Sequence, residues 1–286
     1  MALNTEELVE RVKNTLIIAG SSFSEDKIRA YERAIAEETD PRSRWILETL
    51  LENGLVAGKN KTPLCDDTGI PHLLLEIGRD RALSGKDMEA IEEGIRQGLR
   101  QLPGRPMAIN GGDWERLDQS GGLNQDPGAL EPAPLLVHHS DVPDRLRLHV
   151  LMFGGGPAIR GRSYRVFHRH DAEVIKTELV KWAVESILEL GCSPCTLTIG
   201  IGRSHYEAAS LMLKAQAFGN HDIQNEAEQE ITRRVNESGI GALGLHGRIS
   251  VLSTFMMIGP QRASGVRIVC MRPSCCFEPR HACVDL

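Results

Sequence analysis

The sequence lacks the features of a membrane protein, a secreted protein and a nucleic-acid-binding protein. No segment approaches the roughly 18 consecutive apolar residues that cross a bilayer, and Met1 to Glu7 show no basic stretch followed by an apolar run. Lys and Arg number 33 against 39 Asp and Glu, so the surplus of positive charge that binds phosphate is absent. We therefore expect a cytoplasmic protein that binds neither membranes nor nucleic acid.

Cysteine, by contrast, is informative, because the chain has seven of these residues. An odd number without a signal peptide argues against a disulfide framework and favours thiols or metal ligands. Cys65, Cys192 and a C-terminal group lie at predicted strand or loop boundaries rather than in helical stripes. Soft thiolates favour iron-sulfur clusters or zinc. Three thiolates on a four-iron cluster would leave one iron open to act as a Lewis acid.

Two other interpretations of the cysteines stay open on the residues alone. A cysteine outside any motif is usually a small buried apolar residue. Cys192 and Cys195 are also spaced as half of a zinc site or as a redox pair, although no second CxxC stands at the right distance.

Apolar residues at three- and four-residue spacing predict a helical N-terminal part, about residues 1–60. The remainder, about residues 61–286, alternates predicted strands with predicted helices, including a long helix between the caps Asp171 and Gly191. The polar residues 103–134 are predicted to form an extended loop. The other predicted helices cover residues 5–19, 25–38, 41–57, 86–102, 206–217 and 223–236, and the predicted strands cover residues 73–77, 135–139, 146–153, 197–201, 249–257 and 266–270. We expect one α/β (mixed α+β) subunit over residues 1–286, with a mixed sheet flanked by helices.

Three segments resemble those of one enzyme family, the class I fumarases and L-tartrate dehydratase α subunits. They are Pro63-Leu-Cys-Asp-Asp-Thr-Gly69, the triple glycine 154–156 followed by Gly161-Arg-Ser163, and Cys192-Ser-Pro194 followed by Gly200-Ile-Gly202. Their order and approximate spacing cover most of the chain. The Gly-Arg-Ser continuation looks more like tartrate dehydratase, and Asp66 stands where the family usually has Gln.

The resemblance implies a 4Fe-4S cluster held by three cysteines, here Cys65, Cys192 and a third in the C-terminal group. Cys276 matches the third ligand because an aromatic residue follows it and Arg280 stands four positions on. Cys270 and Cys275 remain alternatives, and Cys283 is disfavoured because it lies near a terminus that is expected to fray.

The same resemblance implies the residues that act on the substrate. Asp67 matches an active-site acid of the family and is the candidate catalytic residue, either as a base or in orienting the substrate. An Asx-type turn before Gly69 is the alternative for Asp67. Arginine forks and backbone N–H groups suit a dicarboxylate. The candidate substrate-binding residues are Asp66, Gly155, Gly156, Arg160, Arg162 and Arg280. For His168, His170 and His246 a structural role is the commoner expectation.

The implied activity is the reversible dehydration of a small hydroxydicarboxylic acid, either L-malate to fumarate or L-tartrate to oxaloacetate. A separate β-type chain is expected as partner, and the expected assembly is a hetero-oligomer or a homodimer of α chains. Asn-Thr-Gly and His-Pro segments that are common in the family are replaced here by residues 118–122 and 260–263. A degenerate paralogue that acts as a non-catalytic binding or regulatory partner is therefore one alternative. A zinc protein that uses Cys192, Cys195 and the C-terminal cysteines is another.

Overall fold

The computed structural model describes residues 4–102 and 104–286. Nine α-helices, counted within these ranges, are α1 Thr5–Ser21, α2 Glu25–Glu37, α3 Pro41–Asn60, α4 Gly85–Gln101, α5 Asp113–Asp118, α6 Gly155–Arg160, α7 Ala172–Leu190, α8 His205–Phe218 and α9 Glu226–Asn236. The strands in the same ranges are β1 Ile70–Ile77, β2 Leu136–His139, β3 Leu146–Phe153, β4 Arg162–Phe167, β5 Cys195–Gly202, β6 Val251–Ile258, β7 Val266–Ser274 and β8 His281–Asp285. The mixed α/β class predicted from the sequence is confirmed.

The chain forms two compact units that are interleaved along the sequence. The first combines the chain up to Ser22 with Gly54–Gly154 and Arg280–Leu286, and the second combines Phe23–Asn53 with Gly155–Pro279. The predicted division into a helical part and an α/β part at about residue 60 stays a prediction.

The first unit is built on a four-stranded sheet in the order β2-β1-β3-β8. Strand β2 pairs with β1 in parallel, whereas β1 with β3 and β3 with β8 are antiparallel. Because side chains alternate between the faces of a strand, Leu73 and Leu75 of β1 enter the apolar core with α1 and α4. At Gly94 of α4 an added Cβ would lie 2.7 Å from Val12 Cβ, so the missing side chain lets the two helices approach closely.

The second unit is built on a four-stranded sheet in the order β4-β7-β5-β6. Strand β5 is buried along its whole length and pairs with β6 in parallel and with β7 in antiparallel orientation. Its core positions Leu197, Ile199 and Ile201 pack with apolar residues of α7 and α9. At Gly200, on the opposite face, an added Cβ would lie 2.0 Å from the carbonyl oxygen of Ala208. Helix α8 therefore packs directly on the backbone of β5.

The caps predicted for the long helix α7 are confirmed. Asp171 accepts a hydrogen bond from the backbone N–H of Glu173 at 2.8 Å, and Gly191 ends the helix in the left-handed region with φ of 70°. A carboxylate offsets the positive N-terminal end of a helix, and glycine adopts positive φ without a side-chain clash. The end of α7 is thereby defined, and Cys192 is the first residue after the cap.

Four short elements are found where the sequence pattern predicted none. Helix α5 lies inside the predicted loop 103–134, Gly155 and Gly156 begin α6, and β4 and β8 are additional strands. The terminus expected to fray instead forms β8, where Cys283 pairs with His149 of β3. Among the described residues, no helix combines the length and the apolar character needed to span a bilayer.

Candidate active site

Cys65 lies in the loop between α3 and β1 of the first unit. Its thiol donates to Oδ1 of Asp66 at 3.7 Å, and Oδ2 of Asp66 accepts from Nη1 of Arg105 at 3.4 Å. Asp66 therefore stands between a predicted cluster ligand and a guanidinium group. The sequence did not single out Arg105, because it lies in a polar loop without a motif.

Arg280 holds the loop that carries Asp67. It is almost fully buried, at 2% exposure, and its Nη1 donates to the carbonyl oxygens of Asp67 at 2.5 Å and Thr68 at 3.0 Å. Its Nε donates to the carbonyl oxygen of Met152 at 3.1 Å. These bonds fix the backbone of residues 67–68 against the end of β3. Direct substrate binding by Arg280 stays a prediction.

The second unit brings four cysteines into one neighbourhood. Cys192 follows the cap of α7, Cys195 begins β5, and Cys275 and Cys276 follow β7. The backbone N–H of Cys276 donates to the carbonyl oxygen of Cys192 at 2.9 Å. The second predicted ligand segment, at Cys192, and the turn of residues 275–279, called here the C-terminal cysteine turn, are therefore adjacent within this unit.

Cys270, an alternative third ligand, lies further from this group. It sits within β7 opposite Gly200 of β5, and five residues of strand separate it from Cys275 by roughly 16 Å. Cys283 belongs to the first unit, on β8. The geometry of the second unit thus favours Cys275 or Cys276 over Cys270 as the third proposed ligand.

Three thiols of this neighbourhood, those of Cys192, Cys195 and Cys276, have raised pKa values. Burial raises the pKa of Cys192, which the nearby Arg160 guanidinium partly offsets, and burial raises the pKa of Cys195 well above its usual range. A hydrogen bond with Cys275, together with burial, raises the pKa of Cys276 well above its usual range. Binding of a soft metal to such thiols must release protons.

The predicted substrate-binding residues Gly155, Gly156, Arg160 and Arg162 differ from one another in their surroundings. Gly155 and Gly156 form the first turn of α6 rather than an open loop. The Arg162 guanidinium forms ion pairs with Glu185 at 2.5 Å and Glu189 at 4.0 Å. Arg160 donates through Nε to the carbonyl oxygen of Glu189 at 3.3 Å. Of the two arginines, Arg160 is the one whose positive charge offsets part of the rise in the pKa of the Cys192 thiol.

Among the histidines, His168 has a structural setting. It is buried, its Nε2 contacts the carbonyl oxygen of Ser264 at 2.9 Å, and its Nδ1 accepts from the backbone N–H of His170 at 3.0 Å. His246 is exposed, with φ of 68°, in the glycine-rich segment after α9. The Ser193 hydroxyl donates to the carbonyl oxygen of Gly241 in that segment at 2.6 Å, which steadies the residue after Cys192.

The donor set fits a thiophilic cofactor. Four buried hydroxyls within the described ranges have no hydrogen-bond partner, and three of them, those of Thr68, Thr196 and Ser274, lie within three residues of a cysteine; the fourth is that of Ser186. No group of three or more His, Cys, Asp or Glu side chains in residues 4–102 and 104–286 is arranged to hold a single metal ion. An iron-sulfur cluster spreads its thiolates over several irons, so its ligands need not meet at one ion.

The C-terminal cysteine turn is surrounded by buried polar residues that sequence reasoning missed. Lys27 and Tyr31 of α2 donate to backbone carbonyls of this turn, and Arg272 pairs with Glu278. In the sequence, Lys27 and Tyr31 belong to an ordinary amphipathic helix, so no local signal marks them.

Comparisons with known proteins agree on one family. The profile of the family described as fumarate hydratase (Fumerase) matches residues 9–285. The "Putative L(+)-tartrate dehydratase subunit alpha" of Methanocaldococcus jannaschii is 28% identical over 271 residues, which cover 90% of each chain. The "Putative fumarate hydratase class I" of Geobacillus stearothermophilus is 24% identical over 264 residues, which cover 86% of this chain and 49% of that protein. Since the family profile spans nearly the whole sequence, this chain belongs to the fumarate hydratase (Fumerase) family.

Proposed function

We propose that this chain is the α-type subunit of a cytoplasmic hydro-lyase that reversibly dehydrates a small hydroxydicarboxylic acid, L-malate or L-tartrate. Cys65, Cys192 and Cys276 hold a 4Fe-4S cluster in this proposal. The observation that carries it is the backbone hydrogen bond from Cys276 to Cys192, which joins two predicted ligand segments that are far apart in the sequence. The match to the family over residues 9–285 supports the reaction class.

Dehydration requires the departure of a hydroxyl and of the proton on the neighbouring carbon. When bound, the cluster supplies a Lewis-acidic iron that weakens the carbon–oxygen bond of the hydroxyl. Asp67 is the candidate proton acceptor within this chain. Arg280 holds the Asp67 carbonyl oxygen at 2.5 Å, so the carboxylate projects from a fixed backbone, as a general base requires.

Both candidate substrates carry two carboxylates, which need cationic partners. Arg160 is the candidate for this role in the second unit, and its guanidinium is near enough to Cys192 to offset part of the rise in the pKa of that thiol. Arg105 is a candidate in the first unit, with a half-exposed side chain beside Asp66. Arg162 is held by Glu185 and Glu189, so its expected contact with substrate would require exchange of these ion pairs.

A β-type chain is proposed as the partner. One relative is named as a subunit alpha, and this chain spans 49% of the relative named as a class I fumarate hydratase. The remaining half of that longer protein has no counterpart in the matched region here. We infer a hetero-oligomer, with or without pairing of α chains.

Anaerobic reconstitution with ferrous iron and sulfide tests the cluster. The wild-type chain is expected to take up about four irons and four sulfides per chain, as a 4Fe-4S cluster requires. The Cys65→Ser, Cys192→Ser and Cys276→Ser variants are expected to lose most of this iron. Cys270→Ser and Cys283→Ser are matched controls, since they remove thiols on β7 and β8 outside the proposed ligand set, and they are expected to retain it.

Iron and sulfide near zero in the wild type would contradict the proposal. So would a cluster that survives both Cys65→Ser and Cys192→Ser. Loss of the cluster in Cys275→Ser but not in Cys276→Ser would move the third ligand to Cys275 and leave the rest of the proposal in place.

A further inference from the structure

The turn Cys275–Pro279, which carries the proposed third ligand, is held at several successive backbone groups. The N–H of Cys276 donates to the carbonyl oxygen of Cys192 at 2.9 Å, and the N–H of Glu278 donates to the carbonyl oxygen of Cys275 at 2.8 Å. The Tyr31 hydroxyl donates to the carbonyl oxygen of Cys276 at 2.8 Å. The Lys27 ammonium donates to the carbonyl oxygen of Glu278 at 2.6 Å. Few degrees of freedom are left to the backbone of this turn.

The side chains that hold the turn are themselves buried. Lys27, Tyr31 and Glu278 have 0% exposure, and Arg272 has 4%. The Arg272 guanidinium donates through Nε and Nη2 to both carboxylate oxygens of Glu278, at 3.0 to 3.3 Å. The Thr198 hydroxyl donates to the Arg272 carbonyl oxygen at 3.3 Å, which ties the pair to β5.

Apolar packing fixes the orientation of the two α2 residues. The Tyr31 ring stacks on Phe23 with centroids 5.5 Å apart, and Phe23 stacks in turn against Phe277 of the turn at 6.2 Å. The Lys27 ammonium lies 4.6 Å from the centre of the Phe23 ring. These contacts therefore fix the positions of the Tyr31 hydroxyl and the Lys27 ammonium that donate to the turn.

Such a set of groups is not explained by stability alone. Removing a lysine, an arginine and a glutamate from water is costly, and a buried ion pair commonly gives no net stabilisation over apolar residues of similar size. What a buried, fully hydrogen-bonded network does provide is a single geometry. The residue whose geometry matters here is the proposed ligand Cys276, beside Cys192.

We propose that Tyr31, Lys27 and the Arg272–Glu278 pair are positioning residues that hold Cys276 in its ligating position next to Cys192, before and after the cofactor binds. This inference rests on the proposed function. Groups that orient metal ligands without touching the metal commonly change metal affinity by about 10- to 100-fold when they are mutated. The network should therefore affect retention of the cluster beyond any effect that it has on folding.

Tyr31→Phe tests the proposal, because it removes only the hydroxyl oxygen that bonds to the turn and keeps the ring that stacks on Phe23. The reconstituted wild-type and variant proteins are mixed anaerobically with EDTA, and cluster loss is followed by the visible absorbance of the iron-sulfur chromophore. Tyr31→Phe is expected to lose its cluster at least about tenfold faster than the wild type. Lys27→Met is expected to change the rate in the same direction, and Tyr31→Phe decides the test if Lys27→Met does not fold.

Two controls separate positioning from general destabilisation. Tyr206→Phe makes the same chemical change at a residue that is 78% exposed, and it should leave the rate of cluster loss unchanged. Ile231→Val truncates a core residue of α9 with 0% exposure, and it should lower the free energy of unfolding without faster cluster loss. Thiol labelling of the apo proteins gives a second readout, since Cys276 should react faster in Tyr31→Phe than in either control.

A rate of cluster loss in Tyr31→Phe equal to that of the wild type would overturn the inference while the proposed function stands. Equal acceleration in Ile231→Val would also overturn it, because the effect would then follow stability alone. A wild-type chain that takes up no iron would instead refute the proposed function, and the inference with it.

Discussion

At Gly69 the absence of a side chain decides the shape of the loop that carries Asp67. Gly69 has φ of 90°, and an added Cβ would lie 2.6 Å from Nη2 of Arg280 and 3.0 Å from the backbone of Phe153. A positive φ is accessible to glycine and strained for other residues. The buried Arg280 can therefore approach the backbone of residues 67–68 only because position 69 is glycine.

Gly69→Ala is expected to lower the free energy of unfolding by about 2 kcal/mol or more, since backbone strain and a clash with a buried guanidinium add up. Urea denaturation followed by circular dichroism measures this change. Turnover should fall further than the remaining folded fraction explains, because the carbonyl of Asp67 would lose its contact with Arg280.

Two other glycines are matched controls for this substitution. Gly239 has φ of 67° with open space around an added Cβ, so Gly239→Ala reports backbone strain alone. Gly85 begins α4 and has neither a positive φ nor a neighbour within 4 Å, so Gly85→Ala should be neutral or slightly stabilising. A loss in Gly69→Ala no greater than that in Gly239→Ala would show that the contact with Arg280 is unimportant.

At the scale of elements, one buried carboxylate connects the junction of α2 and α3 to the strand region before β6. Glu38 has 0% exposure and accepts backbone N–H bonds from Thr39 and Asp40 at one oxygen and from Arg248 and Ile249 at the other. The Ser43 hydroxyl adds a further bond at 3.0 Å. Burial alone would raise the pKa of Glu38, but these donors outweigh it and lower the pKa below its usual range.

Glu38→Gln is expected to cost about 2 kcal/mol at neutral pH, because hydrogen bonds to an ionised group are lost. The folded-state pKa lies below the unfolded value of about 4.3, so the ionised carboxylate stabilises the fold above that value. This contribution disappears as the pH falls through the folded-state pKa. The difference between wild type and variant should therefore shrink in acid.

Urea unfolding across the range from about pH 7 to about pH 3.5 measures this difference. Glu37→Gln, one residue earlier and exposed at the end of α2, is the control and should have little effect at any pH. A constant difference between wild type and Glu38→Gln across the range would mean that the charge of Glu38 does not contribute.

Local sequence signals predicted some elements and missed others for a physical reason. Helix α7 was found with both caps, since capping residues and apolar periodicity are local properties. Strands β4 and β8 are only six and five residues long, and each exists because a distant strand pairs with it: β7 for β4 and β3 for β8. Pairing over such sequence distances leaves no periodic signal in the short segment itself.

At the scale of the whole molecule, the candidate site also depends on contacts between distant segments, which local sequence signals do not predict. Motif resemblance singled out Cys65, Cys192 and Cys276 as ligands, and this assignment stays a prediction. The hydrogen bond that joins Cys276 to Cys192 spans 84 positions (276 minus 192) and depends on β5 and β7 lying side by side. Lys27 and Tyr31 are further still from the turn in sequence. Contacts of this kind follow from the three-dimensional fold, and no single segment encodes them.

Catalysis by the whole enzyme is expected to require the β-type chain. In the proposed enzyme this chain would supply the cluster ligands and Asp67. A β-type chain, corresponding to the half of the class I relative that this chain does not cover, would supply the remaining groups around the substrate. The reconstituted chain alone should therefore keep its cluster but turn over L-malate and L-tartrate at least about 100-fold more slowly than the mixture with its β-type chain. Effects of this size follow when part of a catalytic constellation is missing. Steady-state assays with L-malate, fumarate and L-tartrate measure the ratio, and Cys192→Ser mixed with the same β-type chain is the control without a cluster. Full turnover by the chain alone would contradict the expectation, and a cluster-loaded complex inactive on all three acids would favour the non-catalytic alternative.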